Sequence, residues 1–184
     1  MPQTLLALFA IIAASVLAFQ NTRSRLDDMT RSHRGEITVQ ARGAAISILE
    51  RLSGLDFDGG EGGDAASTGT GAYSPSASFG TAATASGRLM DDLFADPAFD
   101  DLDDFSGVQN AVSRDSLYDP SSDQTRSLDL SVAVQVEYVE QGATDDWVAV
   151  ASASDRTHHK RATVTITHST LSSPIRLGRI YAAP

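Results

Sequence analysis

Residues 4–19 read TLLALFAIIAASVLAF, an uncharged run that is apolar on every side of a helix, and polar residues begin only at Gln20, Asn21, Thr22 and Arg23. A helix without a polar face has to bury itself in lipid or in protein. Three placements meet that demand. A cleaved secretory signal has a basic start, a shorter apolar region and a small-residue cleavage site; Met1, Pro2 and Gln3 carry no charge and the run closes on bulky Phe19. A simple transmembrane anchor needs about 17–25 residues, which the run reaches only if its polar ends are counted. The third placement is a helix that sits in the membrane first and is later buried among identical helices.

The chain beyond Arg23 favours the third. A polar stretch through Arg25, Leu26, Asp27, Asp28 and Met29 leads into an apolar stripe at Ile37, Ala41, Ala44, Ile48, Leu52 and Leu55. Those intervals of three and four residues keep one face of a helix apolar. Gly35 and Gly43 each weaken a helix by about 1 kcal/mol relative to Ala, so local bending or melting is expected there. Gly54 stands where a left-handed cap would end it. A helix over about residues 4–53 would be on the order of 75 Å long, with an apolar first half that projects and a striped second half able to dock on a sheet.

Residues 59–88 are rich in Gly, Ser, Thr and Ala, a loop composition that builds no core. In residues 91–107 carboxylates alternate with Leu and Phe, the pattern of an irregular loop pinned to the body by its apolar side chains. Asp100, Asp101, Asp103 and Asp104 are candidate Ca²⁺ ligands by oxygen density, although the stretch lacks the glycine and terminal glutamate of a helix-loop-helix calcium loop.

The last third is patterned for strands. Leu128, Leu130, Val132, Val134, Val136 and Tyr138 alternate strictly with more polar residues, the signature of a half-buried strand. A turn over residues 141–146 precedes Trp147, Val148, Ala149 and Val150 as a second strand. Ala162, Val164 and Ile166 mark a third, and Ile175, Leu177 and Ile180 a fourth. Short links imply an antiparallel meander with one apolar face, which the striped half of the helix is placed to cover. The expected fold is therefore α+β: a long N-terminal helix packed by its second half on a small antiparallel sheet of about four strands. The chain divides into an apolar helix (1–22), its amphipathic continuation (23–54), a loop region (55–126) and the sheet (127–184).

Composition removes several functions. A net charge of −10, with 24 carboxylates around scattered arginines, argues against nucleic acid, whose phosphates need clustered cations. With no cysteine there is no disulfide, thiol nucleophile or thiolate metal site. The acids are 19 Asp against 5 Glu, and of 14 basic residues only Lys160 is lysine; such carboxylate excess suits high salt, where self-repulsion is screened. Nothing organises catalysis. His158 and His159 are expected in a turn with Asp155 and Lys160, no histidine pair has ligand spacing, and no Gly-x-Ser-x-Gly elbow is present. The glycines at 59–63 neither follow a strand nor open a helix, so they make no phosphate loop. No enzyme and no cofactor are expected.

In this order, an apolar helix running into an amphipathic half that closes through residues 45–58, an acidic-aromatic stretch at 100–107, then strands at 128–138, 155–167 and 174–180, the chain resembles type IV pilin-like proteins, especially bacterial minor pilins and pseudopilins. It departs from them in lacking a glutamate within residues 5–9 and a C-terminal disulfide. The resemblance implies a structural subunit of an extracellular filament at the cell surface, with a membrane-anchored precursor stage. Its partners would be copies of itself or other pilin-like subunits, the inner membrane before assembly, and assembly machinery. Leu5, Leu6, Leu8, Phe9, Ile11, Ile12, Val16, Leu17 and Phe19 would pack between subunits, with Arg23, Arg25, Asp27 and Asp28 pairing across them. Ala7, Ala10, Ala13, Ala14 and Ser15 permit close helix approach. Two other roles fit the same residues: a priming or tip subunit of a pilus or secretion system, and a non-polymerising anchored protein whose sheet binds a partner.

Overall fold

The computed structural model describes residues 2–58, 73, 76, 79–80, 85–119, 123–143, 145–150 and 156–183; the side chains of residues 2–8, 10, 118 and 119 fall outside the description. Most of the Gly/Ser/Thr-rich stretch 59–88, together with Asp155, therefore lies outside the described residues. The elements are α1 (Pro2–Leu52), α2 (Met90–Phe94), β1 (Val108–Asp119), β2 (Gln124–Gln141), β3 (Trp147–Ala149), β4 (His159–Thr167) and β5 (Ile175–Ala182). They fall into two units, residues 1–39 and residues 40–184.

The first unit is helix alone. Gly35 and Gly43, where local bending or melting was expected, both lie within the continuous helical span Pro2–Leu52, so the helix does not melt at either. Gly54 is not the left-handed cap expected of it. Its N–H instead donates to the Arg51 carbonyl at 3.0 Å, while the Leu55 N–H reaches Leu52 at 3.2 Å, tight turns that satisfy orphan carbonyls.

In the second unit the end of α1 packs on an antiparallel sheet of five strands. Ala41, Ala45, Ile48, Leu49 and Leu52 are buried, one stripe of the helix. Ile37 is buried too. Ala44 and Leu55, expected on the same stripe, are only half-buried, because the face is centred on Ala45 and Leu49 and the helix stops before Leu55. The Tyr181 hydroxyl donates to the Leu49 carbonyl at 2.7 Å and Gln40 Nε2 to the Ser116 carbonyl at 3.3 Å. These bonds tie the helix to β5 and β1.

The sheet runs β1-β2-β4-β5, with β3 paired to the end of β2. This is not the simple meander expected, since β4 bypasses the three-residue β3 and pairs directly with β2. In β2 the alternation of Leu128 to Tyr138 is realised: every second side chain is buried. Opposite it, Val132 faces Ile166, Val134 faces Val164, Val136 faces Ala162 and Tyr138 faces Lys160. On the solvent side Glu137 and Arg161 are direct cross-strand partners and ion-pair at 2.6 Å.

Two elements arise inside the stretch read as loop. Strand β1 pairs with β2 over almost its whole length, but its register shifts between Val108 and Ala111, where Asn110 takes a left-handed φ of 54°. The bulge offsets the start of the strand, and further along Arg114, Asp115 and Ser116 are all exposed, which is why the sequence shows no period of two there. The acidic-aromatic stretch is pinned as its pattern suggested, with Leu93, Phe99, Leu102 and Phe105 buried and Phe105 set against Phe94 and Phe99 at centroid distances of 4.8 and 5.3 Å. Its start is the short helix α2 rather than loop.

Gly80 is a point of close approach. Its φ is +78° and a Cβ there would lie 2.0 Å from the Ser106 carbonyl oxygen, so only glycine fits. Gly80→Ala should lower the urea midpoint of unfolding, by more than the ~1 kcal/mol of an ordinary surface change. Leu52→Ala, on the buried stripe, should cost about 3 kcal/mol. Ile46→Ala, on the exposed side of the same helix, should cost well under half of that in the same urea titration.

Candidate functional site

Two features stand out: the outward surface of the N-terminal helix, and a charged cluster sealed inside the second unit.

On the helix, Phe9, Ile11, Ile12, Val16, Leu17 and Phe19 are all exposed, Phe9 at 74% and Phe19 at 70%. Leu26 and Met29 continue the series. Leu5, Leu6 and Leu8, also expected to serve assembly, lie outside the residues whose side chains are described. The few hydroxyls fold back on the helix: Ser15 donates to the Ile11 carbonyl, Thr22 to Ala18 and Thr30 to Leu26, each at 2.8–2.9 Å. A hydroxyl satisfied this way can be buried in an apolar contact without losing a hydrogen bond. Arg23, Arg25, Asp27 and Asp28 are exposed, and among the described residues none of them forms an ion pair. Among the described residues no helix is long and apolar enough to cross a membrane.

The sealed cluster is built by three segments. Strand β4 places Lys160 on its buried face, the same face as Ala162, Val164 and Ile166. It begins at His159, so the turn expected to hold His158, His159 and Lys160 is in fact the entry to a strand; His158 instead bonds Tyr73 at 3.1 Å and the His159 ring lies against Trp147. The segment after α1 contributes Phe57 and Asp58. The acidic turn contributes Asp103.

The carboxylates of that turn divide their work. Asp101 Oδ1 accepts from the backbone N–H of Asp103 at 2.7 Å and of Asp104 at 3.1 Å. Asp104 Oδ2 accepts from the N–H of Asp100 and Asp101. The oxygens of Asp100, Asp101 and Asp104 converge, as do those of Asp58, Asp101 and Asp103. The cation beside the second group is Lys160. Expected as Ca²⁺ ligands, Asp101 and Asp104 are engaged as turn acceptors, Asp103 faces an ammonium, and Asp100 is exposed.

Lys160 is 0% exposed. Its Nζ lies 2.5 Å from Asp103 Oδ1 and 3.6 Å from Asp58 Oδ2, and donates to the Phe57 carbonyl at 2.6 Å. Three rings enclose it, Phe57 at 4.4 Å and Phe79 and Tyr138 each at 5.0 Å from the nitrogen, so their faces supply part of the stabilisation that water would have given. The Tyr138 hydroxyl donates to Asp58 Oδ2 at 3.4 Å. Burial pushes the Asp103 carboxyl up to about 7, against the downward pull of Lys160. Burial, with the charges of Asp103 and Asp58, also pushes the Tyr138 hydroxyl up.

Sequence reasoning passed over Lys160 and Asp58. The signal was available: Lys160 stands two residues before Ala162 in a strand of period two, and it is the only lysine in the chain.

Lys160→Met removes the one ammonium facing two buried carboxylates and should destabilise the fold by about 3–5 kcal/mol in a denaturant titration. Replacing Asp103 by Leu in the same chain should restore part of that loss, because an apolar pair is tolerated where half an ion pair is not. The chain matches no protein-family model, no curated protein and no solved structure.

Proposed function

We propose that this chain is a structural subunit of a type IV pilin-like filament, held together through its N-terminal helix. The observation that carries the reading is the run of large apolar side chains from Phe9 to Phe19 standing exposed on a helix whose other end, from Ala41 to Leu52, is buried on a sheet. Exposed apolar surface of that extent is costly in water and marks an interaction site. Its occupant has to be apolar on all sides, and a second copy of the same helix meets that requirement. The small residues Ala13, Ala14, Ser15 and Ala18 allow helices to approach closely, and the back-bonded hydroxyls allow the contact to be dry.

Packing of this kind is head-to-tail rather than closed, so it produces an open helical polymer. Before assembly the same segment would be sheltered in the inner membrane. Register in the polymer would come from Arg23, Arg25, Asp27 and Asp28 pairing between subunits, since no glutamate stands within residues 5–9. The sheet unit would form the outer surface.

Electron microscopy of material sheared from cells, with mass spectrometry of its subunit, tests this. Filaments built from this chain are expected; a protein recovered only as a detergent-solubilised monomer would refute the proposal. Within it, reversing both Asp27 and Asp28 to Arg should lower filament yield severalfold while the unfolding midpoint of the sheet unit stays constant. Unchanged yield removes the pairing role.

A further inference from the structure

The contact between Lys160 and Asp103 does more than pair charges. At 2.5 Å the nitrogen–oxygen separation is shorter than the usual charge-assisted hydrogen bond of about 2.7–2.9 Å. Apart from this contact with Lys160, neither oxygen of Asp103 has a hydrogen-bond partner among the described residues. The amine nitrogen is thus held directly against the carboxyl group with which it would react, the proximity such a reaction needs. They are sealed from water, with Lys160 fully buried and the Asp103 side chain 8% exposed. A second buried carboxylate, Asp58, stands 3.6 Å from the same nitrogen.

The geometry points to an intramolecular amide between Lys160 Nζ and Asp103 Cγ, formed by the folded chain on itself with Asp58 as the proton carrier. This goes beyond the filament reading and does not depend on it. In the step, Asp103 reacts as its protonated carboxyl. Asp58 takes a proton from the Lys160 ammonium and the freed lone pair attacks Asp103 Cγ. As the Nζ–Cγ bond forms, Asp58 gives that proton to the departing Asp103 hydroxyl, the Cγ–O bond breaks to release water, and Asp58 takes back the second proton that the nitrogen must lose. The oxygen and one hydrogen of the water come from the Asp103 carboxyl and the other hydrogen from Lys160. An ammonium, a carboxylate (Asp58) and a carboxylic acid (Asp103) become a neutral amide, water and a protonated Asp58, so atoms and charge balance with no oxidant, reductant or co-reactant.

Three features of the surroundings favour the reaction. The low dielectric inside the Phe57, Phe79 and Tyr138 rings penalises the charged pair and not the amide. Asp103, whose carboxyl burial holds at about 7, is readily available in the protonated form that nucleophilic attack needs. The Tyr138 hydroxyl donates to Asp58 Oδ2 and so fixes the carrier's orientation. A positioned pair of this kind needs no second molecule, because folding has already supplied the proximity. The product would close a covalent ring over residues 103–160 that encloses β1, β2 and β3, in a chain with no cysteine to do so.

The test is the intact mass of the full chain, purified and denatured. It should be one water molecule lighter than its sequence requires, and tryptic digestion should yield a branched species joining residues 89–114 to residues 157–161. Full mass, or a water loss that maps elsewhere, overturns the cross-link. Lys160→Arg keeps the positive charge but has no primary amine, so its mass should show no deficit; a persisting deficit also overturns the proposal. These masses are read on denatured protein and do not require a variant to fold well. Asp58→Asn should slow or abolish the water loss, and an undiminished deficit in that variant would remove Asp58 as the proton carrier.

Discussion

An antiparallel sheet whose strands alternate apolar and polar side chains has one face that water disfavours, and covering that face governs how the second unit is built. Val132, Val134 and Val136 on β2, with Ala162, Val164 and Ile166 on β4, form adjoining buried rows. The stripe from Ala41 to Leu52 gives these rows a helical cover. Leu93, Phe99, Leu102 and Phe105 from the acidic stretch add to the same core. Hydrophobic burial of this kind supplies the dominant favourable term in folding. Its directionless character explains how an irregular turn can share the work with a regular helix.

At the end of those rows the apolar series stops and Lys160 takes the next inward position, opposite Tyr138. A single buried ammonium is tolerable only with partners, and the chain supplies Asp58, Asp103, the Phe57 carbonyl and three aromatic faces from segments far apart in sequence. The acidic turn is organised to deliver one of them. Asp101 and Asp104 satisfy the turn's own amides, which leaves Asp103 to face inward. An Asp-rich stretch that looks like solvated surface or a calcium loop is thus in part a device for placing a carboxylate beside a lysine.

The fold was largely legible where periodicity was undisturbed. Residues 128–138, 162–166 and 175–180 read as strands and are strands, and the stripe through Ile37, Ala41, Ile48 and Leu52 reads as a buried helical face and is buried. Strand β1 was illegible because it is bulged at its start and its middle residues Arg114, Asp115 and Ser116 are all exposed, so no alternation is written there. The bypass of β3 was illegible because strand order depends on which edges meet, and short links favour sequential pairing without enforcing it. The cluster was half legible: the parity of β4 places Lys160 inward, but nothing local says what it will meet there.

By itself, then, the sequence determined that residues 4–19 are uncharged and apolar on every side of a helix, that residues 41–52 carry a docking face, and that the last third forms strands with one greasy side. Each is a consequence of side-chain spacing along a few turns or pleats. Only the tertiary structure decided that β4 pairs with β2 and that Asp58, Asp103 and Lys160 converge in one dry site. Those outcomes depend on bringing together positions up to 102 residues apart, Asp58 and Lys160, and no local period encodes such a distance.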